Sequence, residues 1–475
     1  MAVSKVGVAL LAGCFVLSCS FTRAEQDNCR TNDECRVAFG VGSICGDNGF
    51  CQPSIEQPRC ATTEPENLLS GATSDRAIIG TLIDGSLMTH VARGNAVRLA
   101  VIDANNAGGF DREFGLVICD ISANFEGDGM SRSEAAVAMA LHLENVVGAL
   151  AIVGPPGSEE AESVFEATTD VVLVTPSATS PALTQLEPVP ASDDAPGRLW
   201  RTAPTDEEQA QQIVSDLMTR SVTDVYIMAQ NGAYGDGLLT LLGEQLSEVP
   251  SVRFETSGQL SSAVGVVAES TASEVIFISS DTSDTVDFLT AASADSRLNT
   301  RRFFLTDAAA NQDLLTGLAA LPMTERDELI SRIRGTRPAN DARLARDFAS
   351  RYRIEFGQND IDALTFTAHS YDAGWLALYG IVWSELQEGG IARDGVRRGL
   401  RQVSSGTPID VGELSWPTVL SEFAAGNSID VSGASGALNY DPAAEERSEG
   451  GGSFGVWLIS GDGARICVAG DTDCL

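Results

Sequence analysis

The stretch VVLVTPSATSPALT (residues 171–184) carries the densest group of side chains able to recognise a polar ligand. An apolar run, Val171 to Val174, reads as a buried strand. It ends in Thr175, Pro176, Ser177, Ala178, Thr179, Ser180 and Pro181, ahead of a polar helix start. Capping of the next helix accounts for one or two of these hydroxyls. A binding site at the strand's carboxyl end accounts for the whole cluster. Bond-making chemistry finds no such support. The three histidines, His90, His142 and His369, sit in no metal or triad pattern, and His142 in AMALHLENV falls on an apolar helical face as a packed residue. GGSFG (451–455) fits the letters of a nucleophile elbow. A Gly-rich loop precedes Ser453 and an apolar strand follows it, whereas an elbow needs a strand before and a helix after. No phosphate-binding loop, dinucleotide fingerprint or CxxC pair is present. The chain reads as a binding protein without metal or cofactor, not as an enzyme.

The elements that must position the hydroxyl cluster alternate from about residue 76 onward. AIIGTLIDG is a strand ending in a turn. RGNAVRLAVIDANNAGG has apolar positions at helical spacing and stops on Gly108 and Gly109. FGLVICDI, VGALAIVGP and the opening stretch supply strands, with RSEAAVAMALHLE and EEAESVFEAT as helices between them. A second series runs through DEEQAQQIVSDLMTR, TDVYIMAQ, GDGLLTLLGEQL, EVIFISS, DTVDFLTAAS and RRFFLTD. Two consecutive series predict an α/β chain of two lobes, each with a mostly parallel sheet. Ligands in such sheets sit at the carboxyl ends of strands, beside helix amino termini.

The 475 residues, 43% hydrophobic, suffice for two or three domains with cores. A formal net charge of −35 makes nucleic acid and anionic membrane surfaces poor partners. MAVSKVGVALLAGCFVLSCS has one cation and an apolar stretch, Val6 to Leu17, too short to span a bilayer, and reads as a signal peptide. Its end meets cysteine twice, at Cys14 and Cys19, each in a setting resembling a bacterial lipobox. Acylation at Cys19 leaves eight of the ten cysteines for disulfides, an even number; the alternative, Cys14, leaves nine. Cys19 is therefore the expected lipid anchor, and no other membrane attachment is expected. Cys29, Cys35, Cys45 and Cys51 lie among Gly, Asn and Asp, as in a small disulfide-stapled module. Zinc is the lesser alternative there, since neither CxxC nor histidine is present. Cys60 with Cys119, and Cys467 with Cys474, are further candidate pairs that spacing alone does not fix.

The motifs AVRLAVIDANNAGG, FGLVICD, AIVGPPGS, LVTPSATSPALT, LWRTAPTDEEQA and NGAYGDGL run in an order that resembles the leucine/isoleucine/valine-binding proteins, the type I periplasmic solute-binding components of ABC transporters. FLTDAAAN, IRGTRP, YRIEFGQNDIDALTFTAHSYDAGWLALYGI and SGASGALNYDP extend the resemblance over about residues 76–460. It implies two lobes joined by three crossovers and closing on a small ligand. Ser158 in GPPGS, with Ser177, Ala178 and Thr179, matches the family's carboxylate-binding loops. Tyr234 matches a second-lobe tyrosine over the ligand, and Asp307 an acid that binds the ligand's ammonium. Where the family often has aromatic clamps, this chain offers Asp84 and Ser86 in one lobe, and Ser279, Ser280 and Asp281 in the other. Those departures point to a polar or cationic ligand over a branched aliphatic one.

The organisation expected on these grounds is a signal peptide (1–18), a lipidated tether (19–28), a cysteine-rich module (29–60) and a linker (61–75). Lobe 1 (76–204) and lobe 2 (205–332) follow. Residues 333–430 mainly return to lobe 1, and 431–475 supply final lobe 2 strands and a Cys-closed tail. The implied partners are a small amino acid-like solute and an ABC permease or a sensor protein, at the cell envelope or in the periplasm.

Overall fold

The computed structural model describes residues 28–69, 76–187, 190–358, 360–361, 364–448 and 452–470. Cys14, Cys19 and Cys474 lie outside the described residues.

Two sheets organise the chain. The first runs in the order Thr62–Glu64, Phe114–Asp120, Ala77–Ile83, Ala151–Val153, Val172–Thr175, Leu199–Arg201, all parallel except the first strand. The second runs Ser251–Phe254, Val225–Gln230, Glu274–Ile278, Arg302–Leu305, Ile333–Pro338, Phe454–Ile459, Ile466–Val468; its last two strands are antiparallel additions. In each sheet the first βα strand, Ala77–Ile83 or Val225–Gln230, is flanked on both sides by later strands. Successive connections leave it in opposite directions, and a crevice opens at the carboxyl ends. This is the type I periplasmic-binding-protein fold, with three crossings between lobes: after Arg201, after Pro338 and before Phe454.

The first lobe's core is built around the helix Thr367–Glu388, buried on nearly every side, which packs on Met88–Asn106. A Cβ on Gly374 would lie 2.9 Å from the Cβ of Ala100, so the missing side chain permits that close approach. Helix Met88–Asn106 ends where expected, with Gly108 (φ +103°) and Gly109 (φ +61°) in conformations that side chains rarely adopt. No helix among the described residues is long and apolar enough to cross a membrane.

The amino-terminal module is a short helix, Asn32–Phe39, started by a Thr31/Glu34 capping box, and a two-stranded hairpin. Disulfides Cys29–Cys45 and Cys35–Cys51 staple it, and Cys60–Cys119 ties the following turn to the first sheet. Cys29, Cys35 and Cys45 lie close enough to suggest a metal site, but their sulfurs are consumed in disulfides. Cys467 is disulfide-bonded as well.

Three expected boundaries differ from the structure. Residues 62–64, placed in a linker, form an edge strand of the first sheet, because Cys60–Cys119 holds them alongside Phe114–Asp120. Ile333–Pro338 belongs to the second sheet, so the return to lobe 1 begins after Pro338. Ile429–Gly433 and Gly436–Ala437 form a separate small sheet with Thr407–Asp410, packed on the first lobe, and the final lobe 2 strands begin at Phe454.

Candidate functional site

Between the two sets of strand ends lies a cavity of about 50 Å³, walled by both lobes. Strand Val172–Thr175 delivers Ser177 and Thr179 to its first wall. Ser158 opens the helix Ser158–Ala167, whose cap residue, Gly157, offers no side chain to the first-turn amides. Ser158 Oγ accepts a bond from the Ser180 amide at 3.3 Å. Ser177 Oγ donates to the Pro156 carbonyl at 2.8 Å and accepts from Arg93 at 3.3 Å. Arg93 also donates from Nε to the Thr365 carbonyl at 3.0 Å, and its guanidinium stands 5.1 Å from the Phe366 ring centre. Phe366 holds a left-handed φ of +65° at the start of the buried helix, a strained conformation on the cavity wall.

The opposite wall carries Tyr234 and Asp307. The tyrosine hydroxyl donates to Asp307 Oδ1, and Gln209 Nε2 donates to the same oxygen at 2.8 Å and to Thr336 at 2.9 Å. Burial raises the Asp307 carboxyl above its ordinary range, opposed by these two bonds and by the charge of Arg93. Nearby Asp206 is buried, and burial, then Asp307, pushes its pKa well up, opposed by a bond from the Thr179 hydroxyl. His90 lines the cavity and is kept neutral, because burial, then Arg93 and Arg132, disfavours its charge.

Contacts across the crevice hold the lobes together. Arg132, on the first lobe, bonds Glu160 of its own lobe and Asp281 of the second, each at 2.6 Å. Burial opposes the Arg132 charge, but Glu160 and Asp281 override it and hold the guanidinium firmly protonated. The Tyr234 amide donates to Glu159 at 3.1 Å and Ser180 Oγ to the Ala233 carbonyl at 2.7 Å. Gly232 permits this approach: its φ is +130°, and a Cβ there would stand 2.4 Å from Glu159 Oε1. Thr89 Oγ1 meets Asp313 at 3.4 Å.

The structure brings Ser158, Ser177, Thr179, Tyr234, Ser280 and Asp307 to one cavity. It places the other expected residues elsewhere. Asp84 and Ser86 bond each other beside Arg132, away from the cavity wall, because the turn after Ile83 closes on itself. Asp281 faces Arg132 and not the cavity. Ala178 points into the first lobe's core, as its apolar side chain requires. Arg93, Arg132, Phe366 and Asp313 on the wall were not anticipated. Arg93 had a readable signal: it shares the buried stripe of its helix with Val97, Ala100 and Ala104. Arg132 had a weaker one, since a cation in a helix's first turn opposes the helix dipole and needs another reason to be there.

A family model described as "receptor family ligand binding region" matches residues 92–377. No curated protein matches the chain significantly in sequence. Solved structures share the fold. A branched-chain amino acid transporter substrate-binding protein, LivJ from Streptococcus pneumoniae with isoleucine, aligns at a TM-score of 0.60 and 16% identity, covering 83% of this chain and all of its own. A leucine-binding protein, LivK from Thermotoga maritima, aligns at 0.58 and 17%, covering 82% and 97%. A solute-binding protein of an ABC transporter from R. palustris, in complex with benzoate, aligns at 0.58 and 13%, covering 83% and 96%.

Proposed function

Because the chain belongs to the receptor-family ligand-binding regions, which bind ligands and are not enzymes, we propose that it is an extracytoplasmic solute-binding lipoprotein. In this reading it captures a small polar solute, an amino acid or a relative, between its lobes for delivery to an ABC-type permease. The observation that carries the reading is the cavity walled by both lobes and bordered by contacts that cross between them. A solute touching Ser158 and Thr179 on one wall and Tyr234 and Asp307 on the other favours the closed arrangement by its differential affinity for it. The cavity's about 50 Å³ has room for the centres of several water-sized groups, in keeping with a compact solute. Isoleucine in the streptococcal neighbour supports an amino acid-like ligand. The disulfides fit an oxidising compartment, and Cys19 is the proposed anchor, with Cys14 as the alternative.

A second reading, a surface or sensory lipoprotein without transport, is favoured by the cysteine module. Arg36 of that module donates to the carbonyls of Asn145 and Val146, fixing it on the first lobe as a further surface. Thermal melting against amino acids, polyamines and short peptides tests the common claim. A ligand at a hundredfold over its dissociation constant adds about 2.7 kcal/mol of stability. A melting shift confined to one chemical class supports a receptor; no shift across the panel refutes it.

A further inference from the structure

We propose that Arg93 is the anion anchor of the cleft, so that the solute is a small aminocarboxylate whose carboxylate meets this guanidinium, and a purely cationic amine is not a ligand. The inference rests on the solute-binding reading and narrows it to a chemical class and a specificity-determining residue.

Arg93 is 8% exposed, lines the cavity, and has only neutral acceptors: the Thr365 carbonyl and Ser177 Oγ. No carboxylate of the described residues reaches it, although Asp307 and Asp313 lie near enough to favour its charge. Arg59 and Arg201, buried as deeply, each pair with a carboxylate, Asp128 and Glu446; Arg447 donates only to three backbone carbonyls, but it does not line this cavity. A buried guanidinium with no carboxylate in direct contact is costly, and a chain that keeps one on a cavity wall has a use for its charge. Burial, opposed by the charges of Asp307 and Asp313, lowers its pKa to about 10, which leaves it protonated at neutrality.

The hydroxyls beside it divide the work. Ser177 has one proton and gives it to Pro156, so towards Arg93 it is an acceptor that aims the guanidinium. Ser158 accepts from Ser180, which leaves its own proton for a ligand oxygen. A carboxylate between Arg93 and Ser158 therefore meets charged and neutral donors together. Asp307 and Tyr234 face this group from the second lobe, where the solute's ammonium belongs. The acids that pointed to a cationic ligand in the sequence, Asp84 and Asp281, are occupied by Arg132 and Ser86.

The test is titration calorimetry on the full chain with matched sets: each L-amino acid, its decarboxylated amine and its deaminated acid. The expected result is that at least one amino acid binds and its amine binds at least about thirtyfold more weakly. Arg93→Gln should weaken the same amino acid at least about tenfold, and Arg93→Lys similarly, since an ammonium does not reproduce the planar fork. Empty Arg93→Gln should melt close to wild type, because a buried guanidinium with no carboxylate in direct contact has gone; a purely structural arginine would show a clear loss. An amine as tight as its parent amino acid, or Arg93→Gln within about threefold of wild type, overturns the anchor and leaves the receptor standing. Silence of the wild type towards every compound overturns both. The amine comparison uses wild type alone, so an amine as tight as its parent overturns the anchor even if Arg93→Gln fails to fold, and Arg93→Lys then supplies the second variant.

Discussion

Asp281→Asn removes the second lobe's half of the bridge to Arg132 and leaves Arg132 paired with Glu160. No buried charge is orphaned, so the global fold should lose little. The closed arrangement should lose more. At an effective dielectric of about 20, Coulomb's law gives several kcal/mol for unit charges in contact. Asp281 is 31% exposed, and both partners regain hydration when the lobes separate. Those two effects reduce the net worth of the bridge to about 1–2 kcal/mol. Since about 1.4 kcal/mol is a factor of ten, the ratio of closed to open molecules should fall about fivefold to thirtyfold. The apparent dissociation constant rises by the same factor where the closed form is the minority. Calorimetry with the solute found by melting, and small-angle X-ray scattering on the empty protein, read the two quantities. The reasoning requires weaker binding in the variant where the empty protein is mostly open, or a larger radius of gyration where it is mostly closed, and Arg132→Gln should be non-additive with it. Unchanged affinity and unchanged radius in Asp281→Asn refute it.

Three further outcomes are expected. Because burial raises the Asp307 carboxyl against the opposing influence of Tyr234, Gln209 and Arg93, an ammonium ligand must displace its proton at pH values below that raised pKa. Affinity should climb as pH rises from about 4 through the raised pKa and then level off; calorimetry should find that slope lost in Asp307→Asn, although Asp206 and Asp313, also raised by burial, face the same region. Replacing Cys60 and Cys119 together by serine opens a 59-residue loop, which should lower stability by about 3–4 kcal/mol in denaturant unfolding. Gly232→Ala meets Glu159 at a φ of +130°, a conformation costing of order 1–3 kcal/mol for other residues; it should weaken solute binding more than it lowers the melting temperature.

Local signals carried much of the fold. The apolar spacing of RGNAVRLAVIDANNAGG and its terminal glycines marked a helix, found at Met88–Asn106, and the run Val171 to Val174 marked the strand Val172–Thr175. Ser177 and Thr179 reach the cavity because the chain leaves that strand at its carboxyl end, a consequence of topology readable from the βα alternation. What escaped notice depends on pairs far apart in the chain. Arg132 and Asp281 are 149 residues apart, and only the closed lobes bring them together. Without that partner, Asp281 looked like a free acid in a binding loop. Thr62–Glu64 likewise has too few apolar residues to announce a strand; the Cys60–Cys119 bond, which spacing did not determine, places it at the sheet edge. Arg93 is visible as a charge on an apolar stripe, but its meaning depends on what meets it in three dimensions: neutral acceptors in contact, with Asp307 and Asp313 farther off.

The central claim is that a small solute binds between the two lobes and touches both. A crystal structure of the full chain with the compound that raises its melting temperature most tests this directly. The account predicts the solute in contact with Ser158 on the first lobe and Asp307 on the second, with its carboxylate at Arg93. A solute held on an outer surface, or by one lobe alone, would contradict it.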